Sequence, residues 1–158
     1  MRLTQYTDFG LRLLMYLAGH PDETVTIGRV SAAFGISGNH LAVIAKHMVT
    51  DGLLVAKRGR NGGVRLAHEP AALSLGKLVL QLEHTANLVE CFDPHGDRCP
   101  ITSGCRLRTV LFEAREAFFA ALDRYTLADV VHNRSQLVEL LGTSTARHRE
   151  LLAMQNAS

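Results

Sequence analysis

The sequence lacks the hydrophobic run that a membrane protein needs. It has no stretch of about 18 apolar residues, the length of a membrane-spanning helix. Its apolar start is interrupted by charges at Asp8 and Arg12 and has no Ala-x-Ala-like cleavage site, so no secretory signal is expected. Apolar residues (47%) and charged residues (20%) are in the balance of an ordinary globular protein. We therefore expect a cytoplasmic protein with no membrane partner.

Enzyme motifs are also missing. The chain has no glycine-rich nucleotide-binding motif, no Ser/His/Asp order and no paired carboxylates of catalytic type. Its histidines do not have the spacing of metal ligands. The sequence therefore predicts a protein that is not an enzyme.

The net charge of +2 is unevenly distributed. Residues 1–68 hold eight Lys/Arg and four Asp/Glu, whereas residues 69–158 hold nine and eleven. A basic first part indicates an anionic partner for that part alone. A charge bias of this size is common by chance. It supports an anionic partner only in combination with the predicted order of helices and strands.

Apolar residues at helical spacing predict three helices in the first fifty residues. They span about 8–18, 27–34 and 39–51, and a short turn separates the last two. Thr26 is suited to cap the second helix and Gly35 to end it. The third helix has an apolar stripe on one face. That stripe consists of Leu41, Ile44, Ala45 and Met48.

A β-hairpin is predicted after the third helix. Apolar runs over 53–56 and 64–67 flank a basic, glycine-rich segment that contains Asn61-Gly62, a strong turn signal. Helix, short turn, helix and basic hairpin is the order of a winged helix-turn-helix. In that fold the second helix of the pair enters the major groove of B-DNA.

Seven polar residues are candidates for DNA contacts. The helix residues among them are suited to base edges or, at the helix start, to a phosphate. The hairpin residues are suited to phosphates or to the minor groove. Helix pairs and basic turns also occur in unrelated proteins. The assignment to DNA binding therefore depends on the hairpin, which directly follows the helix pair as in a winged helix-turn-helix. The seven are Ser37, Asn39, His40, Lys46, Lys57, Arg58 and Arg60.

The second half of the chain predicts a long helix behind a loop. Ser74 is suited to cap a fourth helix, a loop covers 91–105, and the long helix runs from about Arg106 to Tyr125. Its apolar residues step by four and three, a heptad seam typical of pairing with another chain. The seam consists of Leu107, Leu111, Ala114, Phe118, Ala121 and Tyr125. A weaker helix over 135–141 and a polar end follow.

All three cysteines lie within fifteen residues, at Cys91, Cys99 and Cys105. An odd number in a cytosolic chain argues against disulfides. Thiolates favour iron–sulfur clusters and zinc, but gaps of seven and five residues are unlike the tight pairs of structural zinc sites. Three thiolates leave a four-coordinate site one ligand short. Another chain, or Asp93, His95 or Asp97, could supply it; three unligated thiols are the plain alternative.

Four segments resemble one family of regulators. They are MRLTQYTDFGLRLLMYLA, NHLAVIAKHMVTDGLLVAKRGRNGGVRL, CPITSGCRL and YTLADV. Through them, residues 1 to about 131 resemble the NsrR-type nitric-oxide-sensing repressors, iron–sulfur winged-helix regulators related to IscR. The resemblance implies a homodimeric transcriptional repressor of the response to nitrosative stress. Each subunit would hold one cluster near the dimer interface.

The resemblance also implies the cluster ligands. The three cysteines match the family's thiolate ligands, and Asp8 stands where the first helix of the other subunit supplies the fourth ligand. IscR-type relatives use a histidine shortly after the third cysteine, but Leu107 and Arg108 occupy that stretch here. The first cysteine gap is longer than is usual in the family, and His95 in that gap is the second candidate. A stabilising role at the helix start is the plain alternative for Asp8.

The expected function follows from these assignments. A dimer bound to a near-palindromic operator on double-stranded DNA would lose affinity when nitric oxide attacks its cluster. The expected cluster is 4Fe–4S, with 2Fe–2S as the alternative. The alternative hypothesis is a transcriptional regulator on the same scaffold that senses redox state or cluster status with a 2Fe–2S cluster.

The predicted fold class is mainly α with a small β-hairpin wing. It combines a winged helix-turn-helix with a long dimerisation helix and a cysteine-bearing cluster loop. Residues 1–70 are expected to form the DNA-binding domain and 71–105 the linking helix and cluster-binding loop. Residues 106–131 would form the dimerisation helix with its following turn, and 132–158 a weak helix and a frayed C-terminal tail.

Overall fold

The element order agrees with the predicted mainly helical fold with one hairpin. A computed structural model describes residues 2–60, 62–83, 87–93 and 95–142. The elements are α1 (Gln5–Ala18), α2 (Ile27–Phe34), α3 (Gly38–Thr50), β1 (Leu54–Lys57), β2 (Gly63–Leu66), α4 (Leu75–Leu82), α5 (Arg106–Asp123) and α6 (Leu127–Val130). Short 3₁₀ turns lie at Pro70–Ala72, Glu90–Phe92 and Thr102–Gly104. A helical segment also covers 134–142, where a weaker helix is predicted, and the predicted frayed tail over 143–158 lies outside the described residues.

Helix α1 begins three residues before its predicted start because Thr4 caps it. The Thr4 hydroxyl accepts a hydrogen bond from the Thr7 N–H at 3.2 Å. The Thr4 N–H and hydroxyl in turn donate to the Glu83 carboxylate at 2.8 and 3.2 Å. Glu83 is the C-cap residue of α4, so these hydrogen bonds connect the end of α4 to the start of α1. The capping residue is therefore Thr4, and Asp8 lies inside the first turn.

Helices α2 and α3 form as their sequence signals predict. The Thr26 hydroxyl accepts from the Arg29 N–H at 3.3 Å, and Gly35 ends α2 with φ +65°, a conformation that favours glycine. Helix α3 begins after Ser37. It buries the four apolar residues of the predicted stripe, which are Leu41, Ile44, Ala45 and Met48.

The predicted hairpin is confirmed as an antiparallel pair of strands. Leu54 pairs with Leu66 at its base and Lys57 with Gly63 near its tip. Val64 also exchanges two backbone hydrogen bonds with Val25, at 2.8 and 2.9 Å, which joins the hairpin to the segment before α2. The Val25 carbonyl lies so close to Gly63 that a Cβ there would clash with it. Asn61 at the tip lies outside the described residues.

One hydrophobic core joins the first three helices to the later ones. Leu14 of α1, Leu41 of α3 and Leu127 of α6 are fully buried, and Leu78 of α4 is 2% exposed. Leu141 belongs to the same cluster, so the segment over 134–142 folds back onto it. Arg134 fixes this return, because its Nε donates to the Gly19 carbonyl at 2.7 Å. Chain from both sides of residue 70 thus shares one core.

Helix α5 has no buried residue, although most of its residues are apolar. Its C-terminal half packs against α4. The Ser74 hydroxyl donates a hydrogen bond to the Asp123 carboxylate, and a Cβ at Gly76 would clash with the same carboxylate. Its N-terminal half exposes Leu107 (63%) and Val110 (52%). Among the described residues, no helix is both long and apolar enough to span a membrane.

Candidate nucleic-acid interface and cysteine segment

The outward face of α3 carries the residues assigned to base contacts. Asn39, His40 and Lys46 are all exposed. Ser37 is exposed at the start of the helix, and its side chain makes no capping hydrogen bond. Because the opposite face is anchored in the core, this polar face points away from the fold and can enter a groove of DNA.

The hairpin places its cations at an exposed tip. Lys57, Arg58 and Arg60 are all exposed, and within the described ranges none of them forms an ion pair. Arg65 on β2 is a fourth exposed cation that the sequence reasoning missed. Alternation along the strand signals it, since its neighbour Val64 is buried. The hairpin thus presents positive charge suited to phosphates.

The first turn of α1 lies beside the outward face of α3. The Tyr6 hydroxyl and His47 Nδ1 share a hydrogen bond at 3.1 Å. Burial, and next the carboxylate of Asp51, raise the pKa of Tyr6 above its ordinary value, so the hydroxyl stays protonated at neutral pH. A groove of about 240 Å³ lies between the two helices. It is lined by Gln5, Tyr6, Phe9, His40, Val43 and Ile44.

Two of the three cysteines are held close to α5. Cys91 is half-buried, and its carbonyl accepts a hydrogen bond from Arg108 Nε at 3.1 Å. The next residue, Phe92, packs edge to face on Phe112 with ring centroids 6.0 Å apart. Cys105 is half-buried directly before α5, whereas Cys99 is exposed. All three are free thiols.

Two carboxylates in this segment hold its turns. Asp97 Oδ1 accepts from the Cys99 N–H at 3.0 Å and from the Thr102 hydroxyl at 2.9 Å. Asp93 Oδ1 accepts from the N–H of His95 at 2.9 Å. These hydrogen bonds give both aspartates a local structural role. His95, the second candidate for a fourth ligand, is exposed.

The donor chemistry fits an iron–sulfur cluster, since free thiols are its usual protein ligands. Within the described residues of a single chain, however, no three His, Cys, Asp or Glu side chains form a group that could hold a metal ion. Asp8 pairs with Arg12 of its own helix at 2.8 Å. The assignment of Cys91, Cys99, Cys105 and Asp8 as ligands therefore stays a prediction.

A helix-turn-helix with an exposed polar second helix and a basic hairpin defines the class of winged-helix DNA-binding proteins. Comparison with known proteins is more specific. Residues 3–133 match the family described as "Rrf2: Iron-dependent Transcriptional regulator". The chain belongs to the Rrf2 family of transcriptional regulators.

Curated relatives confirm the NsrR-type resemblance. The HTH-type transcriptional regulator NsrR of Geobacillus kaustophilus is 46% identical over 142 residues, which are 89% of this chain and 97% of the relative. NsrR of Bacillus subtilis is 40% identical, with the same length and coverage. Both are named as transcriptional regulators and not as enzymes, as the sequence predicts.

Solved structures confirm the fold. CymR, the global cysteine regulator of B. subtilis, superimposes with a TM-score of 0.67 at 22% identity, over 84% of this chain and 98% of that one. T. potens IscR gives a TM-score of 0.67 at 19% identity, over 84% and 88%. These likenesses concern the winged-helix architecture alone.

Proposed function

We propose that the chain is a dimeric transcriptional repressor that holds an iron–sulfur cluster and loses DNA affinity when nitric oxide attacks it. The observation that carries the DNA-binding part is the exposed polar face of α3 beside the basic hairpin. The cluster and the response to nitric oxide are supported by three free thiols in one segment and by relatives named NsrR.

The dimer would read a near-palindromic operator on double-stranded DNA. One α3 would enter the major groove of each half-site, with half-sites about one helical turn apart. Asn39, His40 and Lys46 would meet base edges. Ser37 and the hairpin cations would contact phosphates, which makes the affinity dependent on salt.

One cluster per subunit, expected as 4Fe–4S, would be held by Cys91, Cys99 and Cys105. Asp8 of the partner subunit would supply the fourth ligand, with His95 as the second candidate. A bound cluster would supply iron that reacts with nitric oxide. A carboxylate oxygen is a harder and weaker ligand for such iron than a thiolate, so Asp8 would be the ligand most readily displaced.

Asp8 would connect the cysteine segment of one subunit to the DNA-binding part of the other. It lies in the first turn of α1, two residues after Tyr6, which is hydrogen-bonded to His47 of α3. Release of Asp8 would let α1 shift, and the Tyr6–His47 contact would pass that shift to α3. A coupling of about 1–3 kcal/mol is enough to change DNA affinity roughly 5–150-fold.

The test is anaerobic purification of the full chain, with visible absorbance, native mass spectrometry and a DNA-binding titration with and without nitric oxide. We expect a brown dimer that binds DNA and releases it as nitric oxide is added. A colourless, zinc-loaded protein would contradict the cluster. A 2Fe–2S protein that ignores nitric oxide but responds to oxidation or loss of its cluster would favour redox or cluster-status sensing.

A further inference from the structure

Val43 is an apolar side chain in the middle of the polar outward face of α3. Asn39 and His40 lie one turn before it and Lys46 and His47 one turn after it, so all five share one side of the helix. Val43 is 53% exposed, and the four polar residues are exposed as well. The face assigned to DNA is therefore not polar throughout.

The core does not account for Val43. Helix α3 is anchored by its buried stripe on the other face, and among the described residues Val43 belongs neither to the core cluster nor to the side chains packed against it. A single exposed valine is ordinary on a protein surface. Val43 is distinctive because it is the sixth residue of the helix that enters the groove, with Tyr6 and Phe9 extending the apolar surface beside it.

We propose that Val43 reads thymine in each half-site by packing against the 5-methyl group. This inference rests on the proposed DNA-binding function. Thymine is the only base of DNA that presents a methyl group in the major groove. Cytosine has no methyl group at that edge, and adenine and guanine present the polar N7 there, for which valine offers no hydrogen-bond partner. The flanking Asn39, His40 and Lys46 supply the hydrogen bonds to neighbouring positions.

The size of the effect follows from the area of one methyl group. Removing one buried methyl weakens affinity about four-fold per half-site, and about fifteen-fold when both half-sites of a dimer lose it. An exposed valine can be shortened without opening a cavity in the core, so Val43→Ala should fold normally.

The experiment uses the full chain, prepared anaerobically. Its preferred operator is first selected from random DNA, and each thymine of the half-sites is then replaced by deoxyuridine, which lacks only the methyl group. One thymine position should show the four-fold loss per half-site for the native chain. For Val43→Ala, deoxyuridine at that position should cost less than about two-fold. Leu80→Ala, a shortening of an exposed aliphatic side chain on α4, should behave as the native chain does.

The outcomes separate this inference from the proposed function. A selected half-site without thymine, deoxyuridine without effect at every position, or equal sensitivity of Val43→Ala would overturn the role of Val43 while leaving DNA binding intact. If no sequence is enriched and no salt-dependent binding is detected, the proposed function fails together with it.

Discussion

Asp8 and Arg12 form a two-contact ion pair one turn apart on α1. Arg12 Nη2 lies 2.8 Å from Asp8 Oδ2, and Arg12 Nε donates to Oδ1 at 3.1 Å. Both side chains are nearly half-exposed, so solvent limits the pair to about 0.3–0.5 kcal/mol of stability. The Asp8 carboxylate is thus held by a weak partner in its own chain, which it would exchange for a cluster of the partner subunit.

The pair allows the ligand role of Asp8 to be separated from its structural role. Asp8→Ala and Arg12→Gln both remove the ion pair, but only Asp8→Ala removes the carboxylate. We expect Asp8→Ala to alter the visible spectrum and the nitric oxide titration of the anaerobic protein, and Arg12→Gln to leave both unchanged. Each should lower the free energy of unfolding by about 1 kcal/mol, because Asp8→Ala also removes a carboxylate from the first turn of α1 and Arg12→Gln removes a cation 6.0 Å from the centre of the Phe34 ring. A native spectrum and response in Asp8→Ala would direct the search to His95.

Local signals in the sequence predict most of the helices, and contacts between distant residues are what they miss. Thr26 and Ser74 cap their helices as their residue types indicate. The predicted start of α1 is three residues too late, although the Thr4 hydroxyl, one turn before the buried Thr7, is a capping signal for the observed start. The Thr4 N–H also donates to the carboxylate of Glu83, 79 residues further along the chain, and no local pattern in the sequence predicts this contact.

In the candidate sites, too, local sequence signals predict some features, whereas contacts between distant residues are not predicted. The α3 side chains assigned to DNA are exposed because the helical period of the apolar stripe determines which face of α3 is free. The hydrogen bond between Tyr6 and His47 joins positions 41 residues apart, so periodicity could not predict it. The proposed ligand set would depend on a second chain, because the resemblance assigns Asp8 to the opposite subunit. A single chain therefore leaves it a prediction.

Asp97 is predicted to support the cluster segment without being a ligand. Asp97→Ala removes the acceptor for the Cys99 N–H and the Thr102 hydroxyl, so the turn around Cys99 should loosen. Iron and sulfide per chain after anaerobic purification should fall. Asp97→Asn keeps an oxygen that accepts both hydrogen bonds and should retain the cluster. If both variants lose iron equally, the carboxylate charge itself is required.

Arg60 at the hairpin tip is predicted to contact a phosphate. Arg60→Ala should weaken binding to all DNA sequences and lower the slope of log affinity against log salt by about one. The measurement is a binding titration at several salt concentrations. Arg124→Ala, a matched loss of an exposed arginine at the end of α5, should leave the slope unchanged. An unaltered slope in Arg60→Ala would place the phosphate contacts elsewhere.

Asn39 is predicted to read a base. Asn39→Ala should relax specificity at one position per half-site and change non-specific affinity little, because a base contact discriminates between sequences whereas a phosphate contact does not. Binding to a panel of operators with single base changes measures this. Equal losses on every member of the panel would indicate a phosphate contact instead.

The exposed apolar part of α5 is predicted to be covered by the second subunit. Val110 is 52% exposed, and a charge there would have to be buried when two such helices pair, so Val110→Glu should yield monomers. Val110 is a better test position than Phe118, because the Phe118 ring packs on Phe119 of the same chain with ring centroids 5.3 Å apart.

Monomers should also lose tight operator binding, because two half-sites would no longer be held together. Sedimentation and operator affinity measure both effects, with Leu80→Glu, a charge at an exposed apolar residue of α4, as the matched control. A dimer that persists in Val110→Glu would move the interface away from this part of the helix.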